Sequence, residues 1–239
     1  MERFYLEEVD STNKYVRENL PSLKDRSVIY TYKQTCGRGR LNRRWNYTGS
    51  DNIYATIVLK PSLDMKPVYA NLTQLLCEVL AQVFEEYGVV PQIKWPNDIR
   101  INSKKISGIL AETVFEKGNL TGIALGFGVN LNCSKADLDA IGQPATALNA
   151  ETGLDVDKEI FLKKVLMKFD LLYDRFIEEG FLLIRENYLK RFEFLNKDVT
   201  VKVFDKEVTG KAINIDRNGA LEIVDKFNNK QILLIGDIL

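Results

Sequence analysis

Two predicted β-strands flank a loop rich in arginine and glycine, and this arrangement constrains the fold more than any other feature of the chain. Residues 27–35 and 52–59 have the alternating apolar pattern of strands. Between them, residues 33–50 contain no Asp or Glu. Because the whole chain balances 33 basic against 33 acidic residues, the positive charge is local and predicts an anionic ligand. The loop contains Gly37, Arg38, Gly39, Arg40, Arg43 and Arg44.

The residues of this arginine loop allow three interpretations. Glycine lets the backbone approach a ligand, and arginine presents a fork of donors that matches phosphate or carboxylate, so a mobile phosphate-binding loop is the first. A solvated basic loop without a role is the second. The third is binding of a nucleic-acid backbone, with Trp45 stacked on a base. Against it, the chain has zero net charge and a pI of about 6.4, which do not indicate an extended basic surface. The sequence contains no G-x-x-x-x-G-K-[ST] phosphate loop.

The composition excludes several kinds of chemistry. The 239 residues include no histidine, which removes Ser-His-Asp and Cys-His catalysis and histidine metal sites. The three cysteines, Cys36, Cys77 and Cys133, form no C-x-x-C pair, so we expect neither a disulfide framework nor a zinc site. The chain begins with charged residues, and no apolar stretch approaches the roughly 20 residues of a membrane span. We therefore expect a cytoplasmic protein without a membrane segment.

The order of predicted elements indicates a mixed α/β domain. Helical spacing of apolar residues recurs in several segments, and short apolar runs separated by turn residues indicate strands. Together they predict a mixed sheet with helices on one face. Helices are expected between Asp10 and Pro21 and at residues 68–87, 157–179 and 181–192, and further strands at residues 92–95, 99–101, 105–115 and 120–131.

The pattern changes beyond Asn196, where short alternating strands are separated by turns. These strands predict a small all-β unit of about forty residues, packed as a compact barrel on the main domain because it would be marginally stable alone. We therefore expect two domains, at residues 1–193 and 194–239.

Lys94 is a candidate functional residue in the segment Lys94-Trp95-Pro96-Asn97-Asp98, where a predicted strand meets a turn. A lysine that points into a protein interior needs an anionic partner. A lysine at a sheet edge, in contrast, commonly lays its stem along apolar surface. The residues alone leave both interpretations of Lys94 open.

Glycines thin two neighbouring predicted strands. Gly108 lies within one apolar strand, and Gly126 and Gly128 lie within the next. A glycine inside a strand marks either a bulge or the close approach of a ligand to the backbone. We expect a slot for a flat small molecule here, with the arginine loop closing over its charged end.

These segments together resemble the successive signatures of the biotin-protein ligases. The resemblance covers nearly the whole chain, and the combination of the arginine loop with K-W-P-N-D is highly specific. It implies an α/β (α+β) catalytic domain related to the class II synthetases, followed by an SH3-like barrel. The matching segments are residues 8–13, 34–45, 94–98, 105–110, 126–130 and 144–148.

The resemblance implies a two-step ligation that uses ATP, Mg²⁺ and biotin. The biotin carboxylate attacks the ATP α-phosphate to give biotinyl-5'-adenylate and pyrophosphate, and a lysine of a biotin carboxyl carrier protein then displaces AMP. Both partners of the first step are anions, so cations must offset their repulsion. Lys94 and Arg40 are therefore the expected catalytic residues, with Lys94 bridging carboxylate and α-phosphate.

The resemblance also implies the binding residues. No residue is assigned to a metal ion, and closure of the loop is expected to keep water from the adenylate. Biotin is expected to contact Ser11, Thr12, Asn13, Gln34, Gly37, Arg38, Lys94 and Gly108. ATP is expected to contact Arg38, Arg40, Arg43, Trp45 and Asn130.

The sequence departs from the family pattern in two places. Asn42 stands where a third loop glycine is common, and asparagine tolerates the left-handed conformation better than other non-glycine residues. Some members begin with a helix-turn-helix segment, whereas this chain starts at the first strand of the catalytic domain, so we expect no DNA binding. An exposed sheet edge in such a fold also allows a homodimer.

Three other functions remain open at this point. A lipoate-protein ligase performs the same adenylation on another carboxylate, although Ser11, Thr12 and Gln34 suit a ureido group better than a dithiolane. A DNA-binding biotin sensor requires a recognition helix or a basic face. A silent ligand-binding module would release no pyrophosphate.

Overall fold

A computed structural model of the chain describes residues 1–46, 48–49, 51–61 and 66–239, without the side chain of Asn42. Its main element is a seven-stranded sheet in the order β1-β2-β5-β9-β8-β7-β6, in which β1 and β2 are parallel and the other neighbours antiparallel. The mixed sheet predicted from the sequence is confirmed. The strands are β1 (Arg3–Tyr5), β2 (Val28–Thr31), β5 (Ile53–Leu59), β6 (Gln92–Lys94), β7 (Asp98–Ile101), β8 (Lys104–Glu116) and β9 (Asn119–Val129), and β3 (Gly37–Arg38) pairs with β4 (Arg44–Trp45) in a separate hairpin.

Three long helices cover one face of the sheet and one short helix covers the other. Alternate residues of β5, such as Ile57, face the large core that includes the long helices, whereas Val58 faces Val16 of the short helix and Leu20 of the turn that follows it. The expectation of helices on one face is therefore wrong, because the central strands are apolar on both faces. The helices are α1 (Thr12–Asn19), α2 (Leu72–Glu85), α3 (Lys135–Asp139), α4 (Leu148–Thr152), α5 (Lys158–Glu179) and α6 (Leu182–Arg191); α3 and α4 were not predicted.

The start of α1 is fixed by a side-chain cap. The side chain of Ser11 accepts a hydrogen bond from the backbone N–H of Lys14, and Pro21 lies in the 3₁₀ turn that follows the helix. Thr12 and Asn13, in the first turn, are buried against the sheet. The first turn of α1 thus brings polar side chains to the face of the sheet that the long helices leave open.

A second, five-stranded antiparallel sheet forms the C-terminal unit, consistent with the small barrel expected from the sequence. Its strand order is β13-β12-β11-β10-β14. It docks on the main domain through the turn at Gly219, whose carbonyl accepts hydrogen bonds from Trp95 Nε1 at 3.0 Å and Gln74 Nε2 at 2.9 Å. The strands are β10 (Asp198–Val203), β11 (Lys206–Ile215), β12 (Leu221–Val224), β13 (Lys230–Leu233) and β14 (Asp237–Ile238).

Within the described part of the chain, no helix combines the length and apolar character that a membrane crossing requires.

Candidate functional site

A cavity opens on the face of the sheet that α1 covers, directly over the glycines of β8 and β9. Its walls come from the start of α1, the arginine loop and the strands β7 to β9. The slot predicted from the glycines is therefore present in the structure. The lining residues are Ser11, Thr12, Asn13, Gln34, Arg38, Gly39, Trp45, Asn97, Asp98, Lys105, Gly108, Ile109, Leu110, Gly126, Phe127 and Gly128.

One end of this first cavity is a buried polar network centred on Thr56. Thr56 Oγ1 lies 2.8 Å from Thr12 Oγ1 and 2.7 Å from Asn13 Oδ1. Gln34 Oε1 accepts a hydrogen bond from the backbone N–H of Thr12 at 2.9 Å. Since these side chains hold one another in place, their remaining donors and acceptors are presented to the cavity in fixed directions.

Asn13 is anchored to the sheet from its other side. Its Nδ2 donates to Leu110 O at 3.1 Å and to Glu112 Oε2 at 3.0 Å. The amide lies so close to β9 that a Cβ added to Gly126 would be 2.0 Å from Asn13 Oδ1. Glycine at position 126 is therefore required for this network, which gives the glycine in the strand a steric reason.

The arginine loop forms a short hairpin over the slot. Gly37 pairs with Trp45 and Arg38 with Arg44, and at the tip the left-handed backbone conformation falls on Leu41, with φ of 52°. The sequence instead suggested Asn42, which stands at the position of the usual third glycine, as the residue that would adopt this conformation. Leucine adopts it at a steric cost that glycine avoids.

The arginines of the loop form ion pairs with acidic residues from two parts of the chain. Arg38 Nη1 lies 3.8 Å from Glu112 of β8. Arg40 Nη1 lies 3.0 Å from Asp237 Oδ1, and Arg43 Nη2 lies 3.4 Å from Asp237 Oδ2. Arg40 Nη1 also donates to Asn97 Oδ1 at 3.1 Å, and because Asn97 lines the first cavity, Arg40 lies beside the mouth of the slot without lining it.

Trp45 lies against the glycine-thinned floor. A Cβ on Gly128 would be 2.4 Å from the indole ring, and one on Gly108 would be 2.7 Å from it. The indole Nε1 is buried and has no hydrogen-bond partner among the described residues. The ring thus occupies part of the slot and offers one unpaired donor to a ligand.

A second cavity lies on the other side of Trp45. Asn130, at its inner wall, is 4% exposed and donates from Nδ2 to Thr146 O at 3.0 Å. Trp45 and Lys105 line both cavities, so together they form the wall between them. The lining residues are Arg44, Trp45, Asn46, Lys105, Asn130, Ile141, Gln143 and Ala145.

Lys105 carries the positive charge of this shared wall. Its Nζ lies 2.7 Å from Asp98 Oδ1 and 5.3 Å from the centroid of the Trp45 ring. It also lies close to the floor, since a Cβ on Gly108 would be 3.1 Å from Nζ. An ammonium group at this point can contact an anion in either cavity.

Lys94, which the sequence predicted to be a catalytic residue, lies outside both cavities. It is on the edge strand β6, directly opposite Asp98, and lines neither of the two cavities. It is partly buried, and this burial lowers its pKa below that of an ordinary lysine.

The structure brings most of the expected binding residues together. Gly37 lies beneath Gln34, since a Cβ there would be 2.6 Å from Gln34 Nε2. Arg40 and Arg43 pair with the C-terminal unit, and neither lines the two cavities. The expected residues at the first cavity are Ser11, Thr12, Asn13, Gln34, Arg38, Trp45 and Gly108, and those at the second are Trp45 and Asn130.

The sequence did not single out Lys105, Thr56, Glu112 or Asp237 as members of the site. One signal for Lys105 was available, because it lies three residues before Gly108 in the same predicted strand. Thr56 gives a weaker signal as the polar residue within the apolar run of β5. Asp237 lies in the C-terminal unit, and nothing in its local sequence indicates contact with the loop.

Comparison with protein families and curated proteins gives consistent matches. A family model described as the biotin/lipoate A/B protein ligase family matches residues 5–130. The biotin--[acetyl-CoA-carboxylase] ligase of Paracoccus denitrificans is 29% identical over 225 residues, covering 90% of this chain and 91% of that protein. The bifunctional ligase/repressor BirA of Salmonella typhimurium is 29% identical over 215 residues, covering 89% of this chain and 66% of that protein. The chain thus spans just under two thirds of that bifunctional relative.

Solved structures with the same fold include a ligand complex. The biotin protein ligase from Aquifex aeolicus, in complex with biotin and ATP, superposes with a TM-score of 0.83 at 26% sequence identity. The match covers 100% of this chain and 97% of that one, so it includes both the main sheet and the C-terminal unit.

Proposed function

The chain belongs to the biotin/lipoate A/B protein ligase family, and from that premise we propose that it ligates biotin to a lysine of a biotin carboxyl carrier protein. The reaction proceeds through biotinyl-5'-adenylate and releases pyrophosphate and AMP. The observation that carries the proposal is the pair of cavities that share Trp45 and Lys105 as a wall. Two adjoining sites with one cation between them suit a reaction that joins two anions.

The first cavity takes biotin. Its polar end offers donors and acceptors from Ser11, Thr12, Asn13 and Gln34, which match the carbonyl and two N–H groups of a ureido ring. Its glycine floor admits a flat ring against the backbone. This polar end also favours biotin over lipoate, since a dithiolane has no donors to satisfy these buried groups and would leave them unpaired.

Lys105 takes the role that the sequence assigned to Lys94. Its ammonium group stands at the wall where a carboxylate from the first cavity meets a phosphate from the second. A cation fixed there offsets the repulsion of the two anions and stabilises the charge that develops as they join. Asp98, at 2.7 Å, holds the ammonium group in position before the substrates bind.

The second cavity takes the nucleotide. Asn130 lies at its inner wall and its Nδ2 is already bonded to the backbone, so the amide oxygen is oriented toward an exocyclic amine of the base. The flat indole of Trp45 separates this base from biotin. Arg38, Arg40 and Arg43 of the loop are proposed to contact the phosphates as the loop closes.

Mg²⁺ is expected to bind mainly to the phosphates of the nucleotide substrate and not to a cluster of protein side chains. The described residues contain no group of three acidic, cysteine or histidine side chains that could hold a metal ion. Mg²⁺ in nucleotide sites commonly binds phosphates and keeps several waters, with one or two carboxylates. ATP phosphates are therefore its expected ligands here, and Asp98 is the nearest carboxylate at the slot.

Several sequence predictions complete the proposal. We place the domain division between residues 193 and 194, and we expect a cytoplasmic enzyme that does not bind DNA. A homodimer remains compatible with the fold.

The purified chain, supplied with ATP, Mg²⁺ and biotin, should label one lysine of a biotin acceptor domain. Mass spectrometry of the acceptor gives the added mass and the modified residue. The matched control replaces biotin with lipoate or octanoate at the same concentration. Preferential labelling with either of these would overturn the assignment to biotin.

A further inference from the structure

Asp237 of the C-terminal unit reaches across to the arginine loop. Its two carboxylate oxygens lie 3.0 Å from Arg40 and 3.4 Å from Arg43. The neighbouring carbonyl of Gly236 accepts a further hydrogen bond from Arg40 Nη1 at 3.1 Å. A single corner of this unit therefore contacts two of the four loop arginines.

The carboxylate of Asp237 occupies a fixed and largely dry position. The residue is 7% exposed, and β14 holds it by pairing with β10, where Asp237 lies opposite Lys202. Gly236 is packed so tightly that a Cβ there would be 2.6 Å from Val201. A buried carboxylate is costly unless cations compensate it. Here Arg40 and Arg43 lie within ion-pair distance, and Asp237 Oδ2 makes no hydrogen bond among the described residues.

The C-terminal unit is also anchored by contacts that do not involve the arginine loop. Its Gly219 turn is bonded to Trp95 and Gln74, and the carbonyl of Ile215 accepts a hydrogen bond from Arg185 Nε at 2.9 Å. Because the unit is held there, the position of Asp237 relative to the slot is set by the fold and does not depend on the loop.

Arg40 keeps donors available while it is paired. Its hydrogen bonds to Asn97 and Gly236 both use Nη1, and the same nitrogen lies 3.0 Å from Asp237 Oδ1. Among the described residues, Nε and Nη2 of Arg40 donate no hydrogen bond. The guanidinium group is thus held at the mouth of the slot with part of its donor fork unused.

We propose that Asp237 is a positioning residue for nucleotide use: it holds Arg40 and Arg43 at the mouth of the slot, so that their free donors meet the phosphates. This inference rests on the proposed function. It assigns the C-terminal unit a part in the reaction without contact between that unit and the reacting atoms. Asp237 raises nucleotide affinity by limiting the conformations of the two arginines before binding.

The test substitutes Asp237→Asn, which keeps the shape and removes the charge, and Asp237→Glu, which keeps the charge. The matched control is Asp198→Asn, because Asp198 is an exposed carboxylate on β10, the strand that pairs with β14. For each variant, steady-state kinetics gives KM for ATP, KM for biotin and kcat. Thermal melts show whether the variant is folded.

Asp237→Asn should raise KM for ATP by about tenfold, the effect of losing a charge-assisted contact, while KM for biotin and kcat change by less than about twofold. Asp237→Glu should recover part of that loss, and Asp198→Asn should match the wild type. An unchanged KM for ATP in a folded Asp237→Asn protein would overturn the proposal. A lowered KM for ATP would also overturn it, because Asp237 would then compete with the nucleotide.

A readout without substrates separates this inference from the proposed function. Hydrogen exchange of residues 36–46 in the ligand-free protein should be faster in Asp237→Asn than in the wild type and the Asp198→Asn control. Equal exchange in all three proteins would refute the positioning role even if the wild type is an active ligase. Faster exchange in Asp237→Asn, found together with a wild type that has no ligase activity, would refute only the proposed reaction.

Discussion

Lys105 Nζ lies 2.7 Å from Asp98 Oδ1, and this ion pair joins two strands at the wall between the two cavities. Lys105 is on β8 and Asp98 is on β7, at the end of the tight β6–β7 hairpin. The hairpin therefore fixes the lysine where two anionic substrates would meet. Before the substrates bind, the Asp98 carboxylate balances the charge of the lysine, so that the partly buried site does not contain an unpaired cation.

Thr56→Val should destabilise the protein by about 1–3 kcal/mol, because it removes the hydroxyl from a buried network and leaves Asn13 Oδ1 without its hydrogen-bond donor. Biotin affinity should fall as well, since the polar end of the slot loses its fixed geometry. Urea unfolding and calorimetric titration measure the two effects. Thr113→Val, at an exposed position on β8, is the matched control and should change stability by less than about 0.5 kcal/mol. Equal effects of the two substitutions would contradict the network.

Gly128→Ala should displace Trp45, because the added methyl group would be 2.4 Å from the indole ring. We expect a stability cost of about 1–3 kcal/mol from overpacking, together with loss of biotin-dependent activity. The protein has two tryptophans, so a change in emission is assigned by repeating the measurement in a Trp45→Phe background. An unchanged emission spectrum in Gly128→Ala would show that the ring does not rest on this glycine.

The buried pair of Glu78 and Arg191 predicts a dependence of stability on pH. Glu78 is fully buried on α2 and accepts hydrogen bonds from Arg191 Nη1 at 2.8 and 2.9 Å, yet burial raises its pKa above the ordinary value of 4.5. At pH values between 4.5 and the raised pKa of Glu78 in the folded protein, the folded protein binds more protons than the unfolded chain. Stability contributed by Glu78 is therefore present below pH 4.5 and is lost as the pH rises through the folded pKa.

Glu78→Gln isolates this contribution. The difference in free energy of unfolding, wild type minus variant, should decrease as the pH rises from about 4.5 toward neutrality. Urea unfolding at several pH values measures it. A difference that is constant or increases with pH would contradict the raised pKa.

The sequence predicted the elements of the fold because each has a strong local signal. Helix α1 has its Ser11 cap and the 3₁₀ turn with Pro21, and α5 and α6 have clear helical spacing. The helices α3 and α4 were missed because five residues carry no periodicity. The sequence also could not predict which face of the sheet α1 covers, because strands that are apolar on both faces can pack against a helix on either face.

Local sequence patterns predicted Lys94 and not Lys105 as the lysine of the site, and the register of two strands explains why. Strict alternation puts residues three apart in a strand on opposite faces, which separates Lys105 from Gly108. In the structure, the register of β7 and β8 shifts so that Arg100 pairs with Lys105 and Ile99 with Ser107. The extra residue in β8 breaks the alternation and brings both Lys105 and Gly108 to the slot. Long-range pairing of this kind, like the contact of Asp237 with the loop, has no signature in nearby residues.

The two lysines can be separated by single-turnover formation of the adenylate. Lys105→Ala should lower the rate by about two to three orders of magnitude, the usual effect of losing one preorganised electrostatic contact. Lys94→Ala, the matched control at a lysine outside both cavities, should lower it by less than about tenfold. The reverse order of effects would restore the role that the sequence gave to Lys94.

Biotin-dependent exchange of pyrophosphate into ATP tests the central claim most directly, because it reports formation of the adenylate without a carrier protein. The wild type with Mg²⁺ should catalyse exchange that saturates with biotin and that lipoate at the same concentration does not support. Exchange that depends on lipoate, or no exchange in folded protein that binds biotin, would contradict the account.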